Sequence, residues 1–219
     1  MIELRNLTKW YHTPGGRHYV FKDLNAIFPP DKSIGLIGMN GAGKSTLLRM
    51  IGGSDYPNSG RIVTDKKISW PVGLSGGFQG SLSARDNIKF VCRIHGLDRD
   101  QTREKIDYVQ NFAEIKEYFD MPVKSYSSGM SARVSFGLSM AFDFDYYLVD
   151  EATAVGDKNF REKSREVFRE KAKKANLIMV SHDLKQLVEF TDIGMVLNKG
   201  EVRFFETTQE AVDYYTNFI

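Results

Sequence analysis

The sequence predicts an α/β fold with a mostly parallel core sheet, an antiparallel β region at the N-terminus and an inserted helical lobe. Short apolar runs alternate with helical patterns in the second half of the chain, as in sheets that helices cover on both faces. Residues 84–119 instead carry apolar residues at helical spacing. We therefore expect one domain over residues 1–219, with a core lobe (1–80 and 142–219) and a helical lobe at about 81–141.

Composition excludes several classes of protein. Hydrophobic residues make up 42% and charged residues 26% of the 219 residues, which is ordinary for a soluble globular chain. The formal net charge of +2 is too small to favour a nucleic-acid partner. The single cysteine, Cys92, allows neither an intrachain disulfide nor a cysteine metal cluster. No apolar run approaches the roughly 18 residues that span a bilayer, so we expect work at a membrane only through a partner.

The N-terminal elements are predicted to be strands. Alternation of polar and apolar residues predicts strands at 2–7 and 20–28, with turn-forming residues at 12–16 between them. A short strand at 61–63 follows a turn at 57–60. We expect the antiparallel region to form here.

A glycine-rich loop, Gly38 to Ser45, matches the phosphate-loop pattern G-x-x-x-x-G-K-[ST]. A buried strand is predicted at 33–37 and a helix at 46–51, so the loop amides and the helix N-terminus converge on an anion. Lys44 is expected to reach the terminal phosphates, and Ser45 to ligate Mg²⁺. The residues expected to bind nucleotide here are Gly38, Met39, Asn40, Gly41, Ala42, Gly43, Lys44, Ser45 and Thr46.

The middle of the chain changes character. Residues 73–81 are rich in glycine and serine, which predicts a mobile connector between two lobes. Helices are predicted within 84–119 and again at about 131–141. Ser127 and Gly129 stand before that last helix, where small residues either bind phosphate or simply cap the helix.

Two carboxylates follow a buried strand predicted at 146–149. Asp150 and Glu151 lie past the carboxyl end of that strand, where ligands bind in open α/β sheets. Asp150 is expected to hold Mg²⁺, and Glu151 to orient and polarise the attacking water. His182 follows another buried strand, at 177–180, and either donates a hydrogen bond to a terminal phosphate or is a surface cap.

The C-terminal elements complete the predicted core lobe. A charged helix is expected at 158–174. Strands at 193–197 and 202–205 flank a turn, and their spacing predicts a hairpin. A capping-box pattern at Thr207 opens a final helix that ends near residue 218.

The order and spacing of these segments resemble the ATP-binding subunits of ABC transporters over essentially the whole chain. The shared pieces are the phosphate loop, the connector, the helical lobe, Ser-Ser-Gly-Met before a helix, a strand ending in Asp-Glu, and Ser-His-Asp. The resemblance implies the ABC ATPase type of phosphate-loop NTPase fold, ATP and Mg²⁺ as ligands, and ATP hydrolysis. It also implies a head-to-tail homodimer, in which each signature meets the ATP of the other subunit, and a separate membrane permease.

The resemblance assigns roles at the reacting end of the site. Glu151 matches the catalytic glutamate, His182 the switch histidine and Lys44 the lysine of the Walker A motif. Tyr11 matches the adenine-stacking aromatic residue, although an isolated aromatic side chain is more often part of a core.

The resemblance also assigns residues that close the site. Residues 126–130 match the five-residue signature, with Ser127 and Gly129 at its phosphate-facing positions, and Asp157 matches the acid of the D-loop. Ser45, Asp150 and Gln79 are the candidate Mg²⁺ ligands.

The chain departs from the family pattern at several positions. Ser128 and Met130 replace the usual Gly and Gln of the signature, and Ala152 replaces the proline after Asp-Glu. Counting back from the following helix, the connector glutamine falls near Leu74, whereas the glutamine present in the connector is Gln79.

The departures resemble those of capsular polysaccharide exporters. This implies a place at the cytoplasmic face of the bacterial inner membrane, coupling through residues 76–119 to an integral permease, and no direct sugar binding. Exporters of O-antigen or teichoic acid remain alternatives, as does a soluble ABC ATPase that acts on nucleic acid or ribosomes. A GTPase is a further alternative, because residues 198–201 resemble Asn-Lys-x-Asp except at the last position.

Overall fold

The computed structural model describes residues 1–73, 77–150 and 158–218. In that part of the chain, the strands are β1 (Ile2–Thr13), β2 (Gly16–Phe28), β3 (Ile34–Ile37), β4 (Ser59–Thr64), β5 (Ile68–Pro71), β6 (Tyr146–Asp150), β7 (Asn176–Val180), β8 (Ile193–Asn198) and β9 (Glu201–Phe205). The α-helices are α1 (Lys44–Ile51), α2 (Ala84–Ile94), α3 (Arg99–Ala113), α4 (Ser128–Ala141), α5 (Lys158–Ala172), α6 (Leu184–Phe190) and α7 (Thr208–Phe218). Two short 3₁₀ helices, Lys116–Asp120 and Val123–Ser125, lie between α3 and α4.

These elements group into two compact units. The core unit comprises residues 1–71, 144–150 and 172–218, and the helical unit comprises 72–73, 77–143 and 158–171. The helical unit begins upstream of the expected boundary at 81. It also includes nearly all of α5, which the sequence assigns to the core lobe.

The core sheet has six strands in the order β5-β6-β7-β3-β8-β9. Pairing is parallel from β5 through β8, and β9 runs antiparallel to β8. All four residues of β3 are buried, as expected for a strand that is covered on both faces. The predicted mostly parallel sheet is therefore confirmed.

A second sheet of three antiparallel strands, in the order β2-β1-β4, confirms the predicted N-terminal region. Strand β1 is longer than the predicted 2–7, because Lys9 pairs with Phe21 and the pairing continues to Thr13 opposite Gly16. Polar residues on both faces hide the alternation there. The predicted turn at 12–16 accordingly contracts to Pro14 and Gly15.

One short strand and one short α-helix were not predicted. Strand β5 lies at the sheet edge and ends in Pro71, a residue that argues against a strand but is tolerated at an edge. Helix α6 has seven residues and begins after Asp183, whose side chain accepts hydrogen bonds from two backbone N–H groups. A pattern this short carries little periodicity.

Capping and turn residues determine where α4 begins and where β8 turns into β9. Helix α4 begins at Ser128 rather than 131, because the Ser127 side chain caps it by accepting a hydrogen bond from the Met130 N–H. The hairpin of β8 and β9 turns through Lys199 and Gly200, both with positive φ, as two-residue hairpin turns require. Within the described ranges, every helix is too short or too polar to cross a membrane.

Candidate nucleotide-binding site

The phosphate loop connects the end of β3 to the start of α1, as the sequence predicts. Gly43 has φ +100°, and a Cβ placed there would lie 2.4 Å from Val20 Cγ1 and 2.8 Å from Phe21 Cζ. A Cβ on Gly38 would lie 2.4 Å from the carbonyl oxygen of Leu197. Glycine is therefore required at both positions for the backbone to approach so closely.

Lys44 lies at the first position of α1, and its ammonium group holds the loop closed. Its Nζ donates to the carbonyl oxygens of Gly38 at 2.7 Å and Met39 at 3.0 Å. A cavity of about 220 Å³ is lined by Val20, Asn40, Gly41, Gly43, Lys44, Ser45 and Thr46. The first N–H groups of α1 have no intrahelical acceptor. A small cavity beside these donors and a lysine fits a phosphate chain.

The carboxyl ends of three adjacent strands bring the other core candidates to the same sheet edge. One row across β3, β7 and β6 consists of Gly35, Met179 and Val149. Asp150 comes one residue beyond this row, and Gly38 and His182 come three residues beyond it. β3 and β6 flank β7, so their ends are about 10 Å apart, twice the strand spacing. Side chains at this edge can share one phosphate chain and its metal ion.

His182 is exposed on a short loop whose shape is fixed by its neighbours. The Asp183 N–H donates to Ser181 Oγ at 3.0 Å, and Asp183 in turn caps α6. Ser181 Oγ also donates to Gln186 Oε1 at 2.9 Å. The loop therefore presents the imidazole at the carboxyl edge of the sheet.

The signature candidates lie in the helical unit, at the N-terminus of α4. Ser127 is exposed, and a Cβ on Gly129 would lie 3.9 Å from Ser127 Oγ, an ordinary contact distance. Both residues border a cavity of about 540 Å³ whose other wall is residues 114–118, which lead into and begin a 3₁₀ helix. The Arg133 guanidinium packs against Phe160, 4.4 Å from the centre of its ring. The helix N-terminus is thus open to a ligand from outside this unit.

Tyr11 lies on β1, in the antiparallel sheet. Its side chain is 39% exposed, and its hydroxyl donates to Asp55 Oδ2 at 3.0 Å. The Lys9 ammonium lies 4.9 Å from the centre of the Tyr11 ring. The ring is therefore fixed in direction and partly open to solvent.

Gln79 has only local contacts among the described residues. Its backbone N–H donates to Asn87 Oδ1 at 2.8 Å, and its side-chain amide donates to Ser81 Oγ at 3.2 Å. It belongs to the helical unit, whereas Ser45 and Asp150 belong to the core unit. The described residues contain no cluster of three or more His, Cys, Asp or Glu side chains suited to a metal ion. Leu74, Glu151 and Asp157, with the rest of 151–157, lie outside the described residues.

Sequence reasoning missed three residues around the candidate site. Val20 lines the phosphate cavity from β2. Lys9 and Asp55 form an ion pair at 2.6 Å beside Tyr11. One signal was present, since Lys9 stands in phase with buried Leu7 on an alternating strand, and a buried lysine needs a partner.

Comparisons with known proteins agree with this geometry. A family model described as "ABC transporter" matches residues 21–154. "Polysialic acid transport ATP-binding protein KpsT" of Escherichia coli is 57% identical over 216 residues, covering 98% of this chain and 96% of that protein. "Capsule polysaccharide export ATP-binding protein CtrD" of Neisseria meningitidis serogroup B is 42% identical, covering 99% of each.

A solved structure has a similar fold. The "dimeric structure of a post-hydrolysis state of the ATP-binding cassette MJ0796 bound to ADP and Pi" superposes with a TM-score of 0.74 at 23% identity, covering 94% of this chain and 98% of that one. The likeness therefore extends over nearly all of the chain.

Proposed function

Because the chain belongs to the ABC transporter family, we propose that it is the ATP-hydrolysing subunit of an exporter that moves a capsular polysaccharide across the bacterial inner membrane. The observation that carries this proposal is the phosphate loop, which combines closely packed Gly38 and Gly43 with Lys44 at the head of α1. Full-length similarity to proteins named for polysialic acid transport and capsule export supports the choice of cargo.

The loop binds the phosphates of ATP. Lys44 exchanges its hydrogen bonds to the Gly38 and Met39 carbonyl oxygens for phosphate oxygens, which is favourable because these carry full negative charge. Ser45 and Asp150 would hold Mg²⁺, which neutralises charge that develops on the phosphate oxygens. Gln79 is the third candidate ligand.

Hydrolysis needs a base and a group that senses the terminal phosphate. Glu151 accepts a proton from the attacking water, and His182 donates a hydrogen bond to the terminal phosphate. Ser127 and Gly129 of a second copy close the site over the phosphate, and Asp157 serves as the acid of the D-loop. Each site is then complete only in a homodimer, so that ATP binding drives association and hydrolysis reverses it.

The protein works with an integral permease at the cytoplasmic face of the membrane and does not itself bind the sugar. Phe90 and Ile94 are one turn apart on α2 and are 60% and 66% exposed. Lys89 and Arg93 adjoin them in sequence. Large apolar side chains exposed together mark a surface for a partner, and this one lies within the expected coupling region, 76–119.

The test is ATP turnover of the complex with its permease. Glu151→Gln keeps the size of the side chain but removes the base, so we expect turnover to fall at least about 100-fold while ATP still binds. Glu162→Gln, an exposed position on α5, is the matched control and should leave turnover unchanged. Unchanged turnover in Glu151→Gln would remove Glu151 from its role.

The same assay separates the alternatives. A soluble ABC ATPase would be stimulated by DNA or ribosomes rather than by the permease. Equal affinity for GTP and ATP would count against adenine recognition.

A further inference from the structure

We propose that Lys9 and Asp55 are positioning residues that hold Tyr11 as a stacking platform for the purine base. This inference rests on the proposed function in one respect, namely that the ligand is a nucleotide. The stacking role of Tyr11 is what the family resemblance implies, and the new part is that Lys9 and Asp55 fix the ring in place before the base binds.

Lys9 is buried, and its charge is balanced by an ion pair with Asp55. The residue is 6% exposed, and its Nζ donates to Asp55 Oδ1 at 2.6 Å and to the Tyr56 carbonyl oxygen at 2.8 Å. A buried ammonium is retained only where such partners are fixed. Lys9 therefore cannot swing away from the Tyr11 ring, whose centre is 4.9 Å distant.

Asp55 orients the other end of Tyr11. Its Oδ1 also accepts the Tyr56 N–H at 2.7 Å, and its Oδ2 accepts the Tyr11 hydroxyl at 3.0 Å. Burial raises the pKa of Asp55, but the donors Lys9, Tyr11 and Tyr56 outweigh it and leave the pKa below its usual value. Asp55 is thus ionised at neutral pH, and its hydrogen bond from Tyr11 is charge-assisted.

The way in which Tyr11 is held suits stacking with a planar ligand. The contact with the Lys9 ammonium and the hydrogen bond from the Tyr11 hydroxyl to Asp55 together fix the position and tilt of the Tyr11 ring, which is still 39% exposed. Aromatic rings stack with nucleobases through their faces, and every base offers one. A ring immobilised before binding loses less entropy when the base arrives.

The network also ties the ring to the helix that follows the phosphate loop. The Asp55 N–H donates to the carbonyl oxygen of Arg49, in the last turn of α1. The Asn58 N–H donates to the Thr8 carbonyl oxygen, and the Trp10 N–H donates to Asn58 Oδ1. The loop after α1 is therefore hydrogen-bonded to β1 on both sides of Lys9. These bonds fix the position of the Tyr11 ring relative to α1, the helix that follows the phosphate loop.

An ion pair between Lys9 and Asp55 could also serve only to hold the loop against the strand. The experiment therefore compares a ligand that carries a purine base with a ligand that has only the phosphates. Binding of Mg-ATP and of Mg-tripolyphosphate is measured by calorimetry for the wild type and for Tyr11→Ala, Tyr11→Phe, Asp55→Asn and Lys9→Met. Asp31→Asn, which breaks the exposed Lys66–Asp31 pair at 3.2 Å elsewhere in the core unit, is the matched control.

We expect Tyr11→Ala to weaken ATP binding about 10-fold, as loss of one base stack does. Asp55→Asn, Lys9→Met and Tyr11→Phe should weaken it about 3- to 10-fold, because the ring remains but is no longer held. Tripolyphosphate binding should stay within about 2-fold in all variants, and KM for ATP should rise while kcat is kept. Asp31→Asn should change nothing.

Two results would overturn the proposal. Equal loss of ATP and tripolyphosphate binding would show a general structural role, and a loss confined to Tyr11→Ala would show that the ring needs no positioning. If Asp55→Asn fails to fold, Tyr11→Phe still tests the proposal, because it removes the hydroxyl that bonds to Asp55 and keeps the aromatic ring. A wild type that does not bind Mg-ATP at all would instead refute the proposed function.

Discussion

At Gly43, the phosphate loop leaves no room for even a methyl group. An alanine there meets Val20 Cγ1 at 2.4 Å and must also adopt φ +100°. Gly41 provides the matched control, since it has φ +80° but an added Cβ meets no described atom within 4 Å.

We expect Gly43→Ala to lower the free energy of unfolding by about 3 kcal/mol, through overpacking and backbone strain together. Gly41→Ala should cost about 1 kcal/mol, through strain alone. Urea denaturation of the nucleotide-free protein measures both. Equal losses in the two variants would mean that contact with β2 does not shape the loop.

Residues within a local motif could be predicted from the sequence, and residues joined across the chain could not. A pattern of eight consecutive residues locates Lys44 and Ser45, and the apolar strands locate Asp150, the last residue of β6, and His182, two residues after β7. Lys9 and Asp55 are 46 positions apart, and only the fold brings them together. Their pairing depends on the route of the loop after α1, which no local pattern specifies.

Among the elements, α3 has a C-terminus that is capped by two other helices. Its last residues, 110–113, are uncharged. Arg133 of α4 donates to the Ala113 carbonyl oxygen at 3.4 Å, and Lys163 of α5 donates to the Phe112 carbonyl oxygen at 3.1 Å. Cations are favourable at this end of a helix, where carbonyl groups lack partners.

Lys163→Met should therefore lower the free energy of unfolding by about 1 kcal/mol, because the partly exposed side chain loses the capping bond and its ion pair with Glu114. Arg161→Met, an exposed arginine two positions earlier on α5, is the control and should change stability little. Denaturant unfolding followed by circular dichroism measures both. A loss as large in Arg161→Met would indicate helix propensity rather than capping.

Element type was predictable where a pattern was long. Helix α3, with 15 residues, and strand β6, with buried residues throughout its apolar run, follow directly from spacing and burial. Strand β5 and helix α6 are too short to show a period, and their existence depends on neighbours in the fold.

For the whole molecule, parallel strands could be inferred but their order could not. Buried apolar strands predict a parallel sheet, yet the order β5-β6-β7-β3-β8-β9 depends on contacts between distant segments. The signature and the phosphate loop lie in different units, and under the proposed function they act together only across two copies of the chain.

A cross-linking experiment tests that assembly. Asn40→Cys and Ser127→Cys, both at exposed positions, are combined with Glu151→Gln to trap nucleotide, while Cys92 remains buried. We expect disulfide-linked dimers with ATP and few without it, measured on non-reducing gels. The Ser127→Cys variant without Asn40→Cys should give no ATP-dependent dimer. Failure to cross-link under every nucleotide condition would contradict the head-to-tail dimer.

The division of the chain into units also constrains the order of folding on the ribosome. The backbone passes between the units four times, and buried Phe160 and Phe168 reach the helical unit only with α5. A half-synthesised chain therefore contains an incomplete version of each unit at the same time. A severed 72–143 fragment would therefore lack the part of its interior that Phe160 and Phe168 supply.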